Sequence, residues 1–227
     1  VRQRPSISPS KITTYLACPV KYRWTYVDPR GKWYVRSRSS YSFGTTLHRV
    51  LELFHDSSGT GVETVGQALA AYEDGWLESG FGSAEEMAEA YGEGKAILER
   101  HVEESLAHQV TAKTLFVERL FRKDVGAFDL VGRIDRVDEH EDGTLEIIDY
   151  KSGRSEVSSL DVEGDVSMGC YQLLLHAAFP GREIRATIYA LRTGARASAS
   201  MSASQLAAFA QDIKFIGEQM LGHDYEH

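Results

Sequence analysis

Cysteine is nearly absent: the 227 residues contain two, Cys18 and Cys170. Two thiols make no disulfide framework, so the expectation is a fold held by its core in a reducing, cytoplasmic setting. Long apolar runs are missing too. No stretch approaches the ~18 apolar residues that read as a membrane span. The opening VRQRPSISPSK lacks the apolar centre of a secretory signal. Internal repeats and low-complexity tracts are absent, which argues against a repeat array. Acid is scarce in one region only: residues 1–50 hold Asp28 alone against ten Lys/Arg, a local +9. The rest of the chain is −17 and the whole is −8. Taken alone, such a segment reads as a solvated basic face, but local sign matters more for phosphate than net charge does.

What is present is ordinary globular composition, 42% apolar and 26% charged, in a length that suits one domain. The expected division is a helical part over about 1–112, a sheet core over about 113–193 and a C-terminal helix over about 202–221. Ser8-Pro9-Ser10 offers a helix cap and an early proline, and Ile12, Tyr15, Leu16 and Tyr22 carry a helical pattern to about Tyr26. Pro19 lies inside it and predicts a kink or break. Asp28 to Gly31 reads as a turn, and Thr45–His55 as a second helix buried through Leu47, Val50, Leu51 and Phe54. Residues 63–110 read as helix interrupted near 79–83, with Met87, Tyr91, Leu98, Val102 and Leu106 as core. Strands are expected at about 114–123, 128–138, 144–151 and 184–192, with a helix at about 165–179. Gly194–Ser204 reads as a loop. A last helix buries Leu206, Phe209, Ile213, Ile216 and Met220.

Chemistry concentrates in two neighbouring strands. Gly132-Arg133-Ile134-Asp135-Arg136-Val137-Asp138 is followed by Glu146-Ile147-Ile148-Asp149-Tyr150-Lys151. Strand side chains alternate faces, so Asp149 and Lys151 point the same way. The Asp138–Thr144 turn pairs the two runs and brings Asp135 towards them. Carboxylates hold a hard cation such as Mg2+, and a lysine beside it can orient or deprotonate water. This pattern reads as metal-assisted phosphodiester hydrolysis. His48 and Glu52 share a helix face one turn apart, although a lone helical histidine is more often structural. Glu118 could flank the site from the preceding strand or be an ordinary exposed acid.

The ordered series resembles the PD-(D/E)XK nuclease superfamily, and within it the RecB-like branch that includes CRISPR-adaptation nucleases and related exonucleases. The matching pieces are Ser8–Ile12 with Tyr15–Pro19 and Tyr22, Gly44–Glu52, Glu118, Gly132–Asp138, Ile148–Gly153 and Tyr171-Gln172-Leu173. The resemblance implies an α/β fold with a mixed central sheet flanked by helices. It implies Mg2+ or Mn2+ held by His48, Asp135, Asp149 and the Tyr150 main-chain carbonyl. Lys151 would act on the nucleophilic water, and Tyr171 and Gln172 would lie near substrate. Relatives have tyrosine one turn after the glutamine, where this chain has His176. Many also bind a four-iron cluster through a cysteine placed like Cys18 and three near the C-terminus. The given residues cannot complete that cluster, and Cys18 would be a ligand only if a cysteine-bearing extension follows. Otherwise it is expected to be a small buried hydrophobe.

Three functions fit these residues. The favoured one is a metal-dependent DNA nuclease, an exonuclease acting on single strands or ends in repair or recombination. The second is a catalytically silent DNA-binding module of a helicase or recombination complex, which would have no need of Asp135, Asp149 and Lys151 together. The third, a hydrolase of small phosphate esters, leaves unexplained the basic segment with Trp24, Trp33 and Tyr34 interleaved, since such aromatics stack on bases. Arg36 and Arg38 are the expected backbone contacts. Oligomeric state is not legible.

Overall fold

The structure, a computed structural model, describes residues 4–31, 38–56, 59, 61–107, 112–153 and 156–222. A two-residue strand β1 (Ser6–Ile7) leads into helices α1 (Pro9–Ala17) and α2 (Pro19–Tyr22), and α2 runs on as a π-helical turn, Arg23–Val27. Three longer helices follow: α3 (Ser39–His55), α4 (Val65–Asp74) and α5 (Ala84–Ala107). Strands β2 (Lys113–Asp124), β3 (Asp129–Glu139) and β4 (Leu145–Lys151) come next. The chain ends with α6 (Ser159–Gly164), α7 (Val166–Ala178), β5 (Ile184–Ala190), β6 (Ala195–Ala199) and α8 (Ala203–Leu221).

Local chemistry sets the helix ends. Ser8 accepts the Lys11 N–H and Pro9 opens α1, a proline position that costs no hydrogen bond. The break foreseen at Pro19 occurs one residue earlier, at Cys18, which is extended at φ −169°. Cys18 is half-exposed rather than buried, and its sulfur accepts the Lys21 N–H at 3.4 Å to cap α2. Helix α3 begins at Ser39, earlier than the pattern indicates. Its serine-rich first turn is a poor helix former, but buried Ser42 donates to the Ser79 carbonyl at 2.7 Å, a tertiary contact that outweighs propensity. Leu106, expected in the core, is 59% exposed at the end of α5, and Met87 is half-buried.

The sheet is mixed, in the order β1-β3-β4-β5-β6, with β2 pairing β3. β2–β3, β3–β4 and β5–β6 are antiparallel, whereas β1–β3 and β4–β5 are parallel. The parallel β4–β5 step requires a crossover, which α6 and α7 supply. β6 lies within the stretch read as a loop. Its Ala-Arg-Ala-Ser-Ala sequence has weak strand preference, and pairing with β5 provides the missing stabilisation. Both faces are covered. One core joins Leu145, Ile147 and Ile188 to Leu174 of α7 and Ile213 of α8. The other joins Ile148, Tyr150 and Tyr189 to Leu47 of α3 and Leu98 of α5. No described helix is long and apolar enough to cross a membrane.

Gly217 of α8 lies against Phe128, in the β2–β3 turn. A Cβ at Gly217 would come within 2.1 Å of a ring carbon of the fully buried Phe128. A helical Gly→Ala change normally gains ~1 kcal/mol. Here the overpacking cost of about 1–3 kcal/mol exceeds it. Gly217→Ala should therefore lower the urea midpoint, and a raised midpoint would contradict this packing.

Candidate active site

β3 is paired along one edge by β2 for its whole length. Its other edge meets β1 at Asp129–Leu130 and β4 only from Arg136 to Glu139. Between these ladders the edge is open among the described residues, and Asp135 is the last residue before β4 joins. Its Oδ2 accepts the Tyr150 N–H at 2.9 Å, so a side chain replaces the next ladder bond. The strand alternation also slips here, because Ile134 and Val137, an odd number of positions apart, belong to the same core. Across the β2 ladder, Glu118 stands between the pairs Val117–Arg136 and Arg119–Ile134. It has φ +45°, the only positive φ outside glycine among the described residues. That conformation costs roughly 1–2 kcal/mol for an L-residue. The Glu118 carbonyl accepts from Arg133 Nη1 at 2.9 Å, which helps hold the irregular turn of strand.

His48 of α3 completes a cluster at this fork. Its Nε2 lies 3.0 Å from the Tyr150 carbonyl, which can only accept, so Nε2 carries a proton. Nδ1 therefore faces the acids, 3.5 Å from Asp135 and 3.9 Å from Glu118. One donor atom from each of His48, Glu118 and Asp135 lies within 4.8 Å of the other two. Burial lowers the His48 pKa, but Asp135, Asp149 and Glu118 outweigh it and the net shift is upward. The Glu118 carboxyl is pushed up to about 7, first by burial and then by Asp135. Two acids and an imidazole that share so little solvent form a donor set suited to a divalent cation.

Asp149 and Lys151 face each other, with Nζ 2.6 Å from Oδ2. That oxygen is buried without a hydrogen bond of good alignment. Burial, and then the charge of Asp135, push the Asp149 carboxyl up to about 6. The Lys151 pKa is subject to opposing effects. Burial alone would lower it, but Asp149, Asp165 and Asp135 face it and the net shift is upward. Lysine holds the proton of this pair. Asp149 stands outside the group that His48, Glu118 and Asp135 form within 4.8 Å of one another, but it interacts electrostatically with Asp135 and His48 and so borders that donor set.

The remaining sequence-derived residues divide. Tyr171 is half-buried, and its hydroxyl pKa is raised by burial and then by Asp149 and Asp135, which places it beside the acids. Gln172 is buried, and its Oε1 accepts the Met201 N–H at 2.8 Å, tying α7 to the segment before α8. Glu52 is paired with Arg49 at 2.7 Å and raises the pKa of Glu118. Arg38 is exposed at the N-cap of α3. Arg36 lies outside the described residues. Two nearby features had escaped the sequence reading. Arg133 reaches back over Glu118, and Arg136 is buried beneath the site. The run of charges in Arg133, Asp135, Arg136 and Asp138 within an apolar strand was the available signal.

No curated protein matches the chain. Among solved structures, a Eubacterium rectale protein named "Putative exonuclease" is similar over 96% of this chain and 80% of its own, at 9% identity and a TM-score of 0.56. The protein SSO0001 is aligned over 100% of this chain and 80% of its own, at 15% identity, but a TM-score of 0.40 carries no argument. The first of these shows a shared fold. The family profile of the PD-(D/E)XK nuclease superfamily matches residues 6–227, and the chain belongs to that superfamily.

Proposed function

We propose that the chain is a divalent-metal-dependent deoxyribonuclease of the RecB-like branch, most suited to an exonuclease acting on single strands or DNA ends. One observation carries the reading: His48, Glu118 and Asp135 converge with the Asp149–Lys151 pair at the β3–β4 fork, in a chain of nuclease lineage. The name of the Eubacterium rectale relative favours the exonuclease form.

His48 Nδ1, Asp135 and Asp149 would hold Mg2+ or Mn2+, with Glu118 as a further donor, whereas the Tyr150 carbonyl, expected as a ligand, faces His48 Nε2 on the opposite side of the ring. An imidazole ligand makes Mn2+ a good substitute for Mg2+. A bound cation offsets charge developing on the phosphate and lowers the pKa of a bound water. Lys151, beside Asp149, would orient or deprotonate that water. Tyr171 lies close enough to these acids to contact a substrate sugar or base, and Arg36 and Arg38 would follow the phosphate backbone. Gln172, buried on Met201, acts through the placement of α7. The alternative, a silent DNA-binding module, leaves the strained Glu118 and the desolvated Asp149 without purpose.

The decisive assay uses end-labelled single- and double-stranded DNA with chelator, Mg2+ or Mn2+. Cleavage should require the cation. Asp135→Asn, Asp149→Asn and Lys151→Ala should each abolish it, with double variants hardly worse than singles because the residues serve one step. Binding without cleavage under every condition would establish the silent module.

Charge crowding gives a second test. The Glu118 pKa of about 7 lies above its ordinary 4.5, so stability present below about pH 4.5 is lost as pH rises towards 7. In cation-stripped protein at pH 8, Glu118→Gln should be more stable by about 1 kcal/mol, after discounting for partial solvent access. Near pH 4 the two proteins should melt together. A Glu118→Gln protein that melts lower at pH 8 would remove Glu118 from the acid cluster.

The basic segment gives a third. With Asp149→Asn protein in Ca2+, affinity for single-stranded DNA should fall steeply with salt as counterions are released. Each true phosphate contact removed by Arg36→Ala or Arg38→Ala should flatten the log–log slope by about 0.7. An unchanged slope would place the DNA path elsewhere.

A further inference from the structure

Directly behind the acid cluster lies a polar network that the proposed chemistry does not use. Arg136 and Asp138 are 7% and 2% exposed. Arg136 Nε donates to Asp138 Oδ1 at 2.7 Å, and Nη2 donates to Oδ2. Asp138 Oδ1 also accepts from Thr114 Oγ1 at 2.8 Å. Arg136 Nη1 reaches the His55 ring nitrogens at 2.8 and 3.0 Å and the Tyr150 hydroxyl at 3.3 Å. His55 Nε2 lies 2.8 Å from His101 Nε2, and His101 Nδ1 lies 3.2 Å from the Tyr189 hydroxyl. A guanidinium only donates, so a His55 ring nitrogen accepts from Arg136. Burial, and then Arg136, lower both pKa values, that of His101 to about 3.

Such a network is a poor way to gain stability. Buried charges lose hydration, and apolar side chains of similar volume commonly do as well or better. Its placement offers a different reason for it. Arg136 follows Asp135, and Tyr150 follows Asp149. His55 lies on α3 two turns after His48, on the same face of the helix. Tyr150 is held twice: its carbonyl faces His48, and its ring stacks on His55 with centroids 6.5 Å apart and planes at 17°. Every element that brings a residue to the β3–β4 fork from α3, β3 or β4 is thus gripped by one set of directional bonds. An apolar seam tolerates small slides of a helix, whereas metal ligation tolerates about 0.2 Å.

We infer that the Arg136–Asp138 pair, through His55 and Tyr150, positions His48 against Asp135 and Glu118, so that Arg136 is a positioning residue for the proposed metal site. The inference rests on the reading of that site as a metal site. Its effect on the His48 ring, however, exists without metal.

The test uses the double variant Arg136→Met/Asp138→Leu, which removes both charges and keeps the volume. His55→Phe leaves the ion pair intact and serves if the double variant does not fold. Three measurements are made on each: the melting temperature, the nitrogen-15 signals of the His48 ring in cation-free protein, and Mn2+ affinity by calorimetry. Melting should stay close to that of the unmodified chain, or rise. The His48 signals should lose the signature of one protonated nitrogen bonded to a carbonyl, and Mn2+ affinity should fall tenfold to a hundredfold, as for other outer partners of metal ligands. Arg136→Lys, which keeps a donor but not the fork, should be intermediate. Unchanged His48 signals in a folded variant would overturn the inference and leave the network a structural pair. If the unmodified chain does not bind Mn2+, the metal reading fails and the assignment of Arg136 to a metal site falls with it, while the His48 signals still report whether the network orients that ring.

Discussion

The parting of β4 from β3 is the constraint on which the site depends. Two antiparallel strands that separate leave backbone donors and acceptors unpaired, and buried backbone groups rarely stay so. Here the Tyr150 N–H turns to the Asp135 carboxylate and the Tyr150 carbonyl to the His48 imidazole. The fork therefore draws polar side chains into the sheet for a backbone reason before any catalytic one arises. A ladder that continued one pair further would take the Tyr150 N–H into the sheet and leave Asp135 no such bond. The irregularity of β2 at Glu118 belongs to the same event, because a positive φ turns that carboxylate towards the opening rather than along the regular pleat.

The groups thus gathered repel one another. Asp149 and Glu118 both have raised pKa values, from burial first and from Asp135 second. Lys151 and His48 answer part of this charge, and each has its own pKa raised by doing so. The arrangement holds more negative charge than a stability-optimised protein would desolvate. Such residual strain is what active sites retain, and the surrounding fold compensates for it. Helices on both faces supply that compensation: Leu47 and Leu98 lie on one side, and Leu174 and Ile213 on the other.

Much of this was legible in the sequence. The three apolar strand runs fixed β2 to β4 to within a residue or two, and the charges interrupting them marked the fork. His48, singled out on a helix face with Glu52 and again by the resemblance, lies beside Asp135 and Glu118. In the sequence Glu118 fits a site role and an exposed strand position equally, because no pattern reveals a positive φ at a glutamate. Arg136 and Asp138 carry no signal of their role in the sequence, since their burial depends on α3 and α5 folding over them. His55 and His101 lie on two helices far apart in sequence, and only the tertiary structure joins them. Helix α3 was read six residues short for a similar reason: the Ser42–Ser79 contact that supports its first turn is nonlocal. Strand β6 alternates Ala with Arg and Ser, but alanine is too small and too poor a strand former for that alternation to stand out.

Charge distribution links the site to the rest of the surface. A −17 remainder would repel a polyanion, and the acids at the fork would repel it most at the proposed site. An enzyme acting on nucleic acid needs local cations to overcome that, and the +9 of the first fifty residues is the available source. The fold brings part of this segment to the site, because β1 pairs β3 on the same edge as β4 and α3 carries His48. On the proposed reading, a strand attracted to that segment would meet repulsion at the fork unless a cation is present. Cation dependence would then act on the approach of the phosphate as well as on its chemistry.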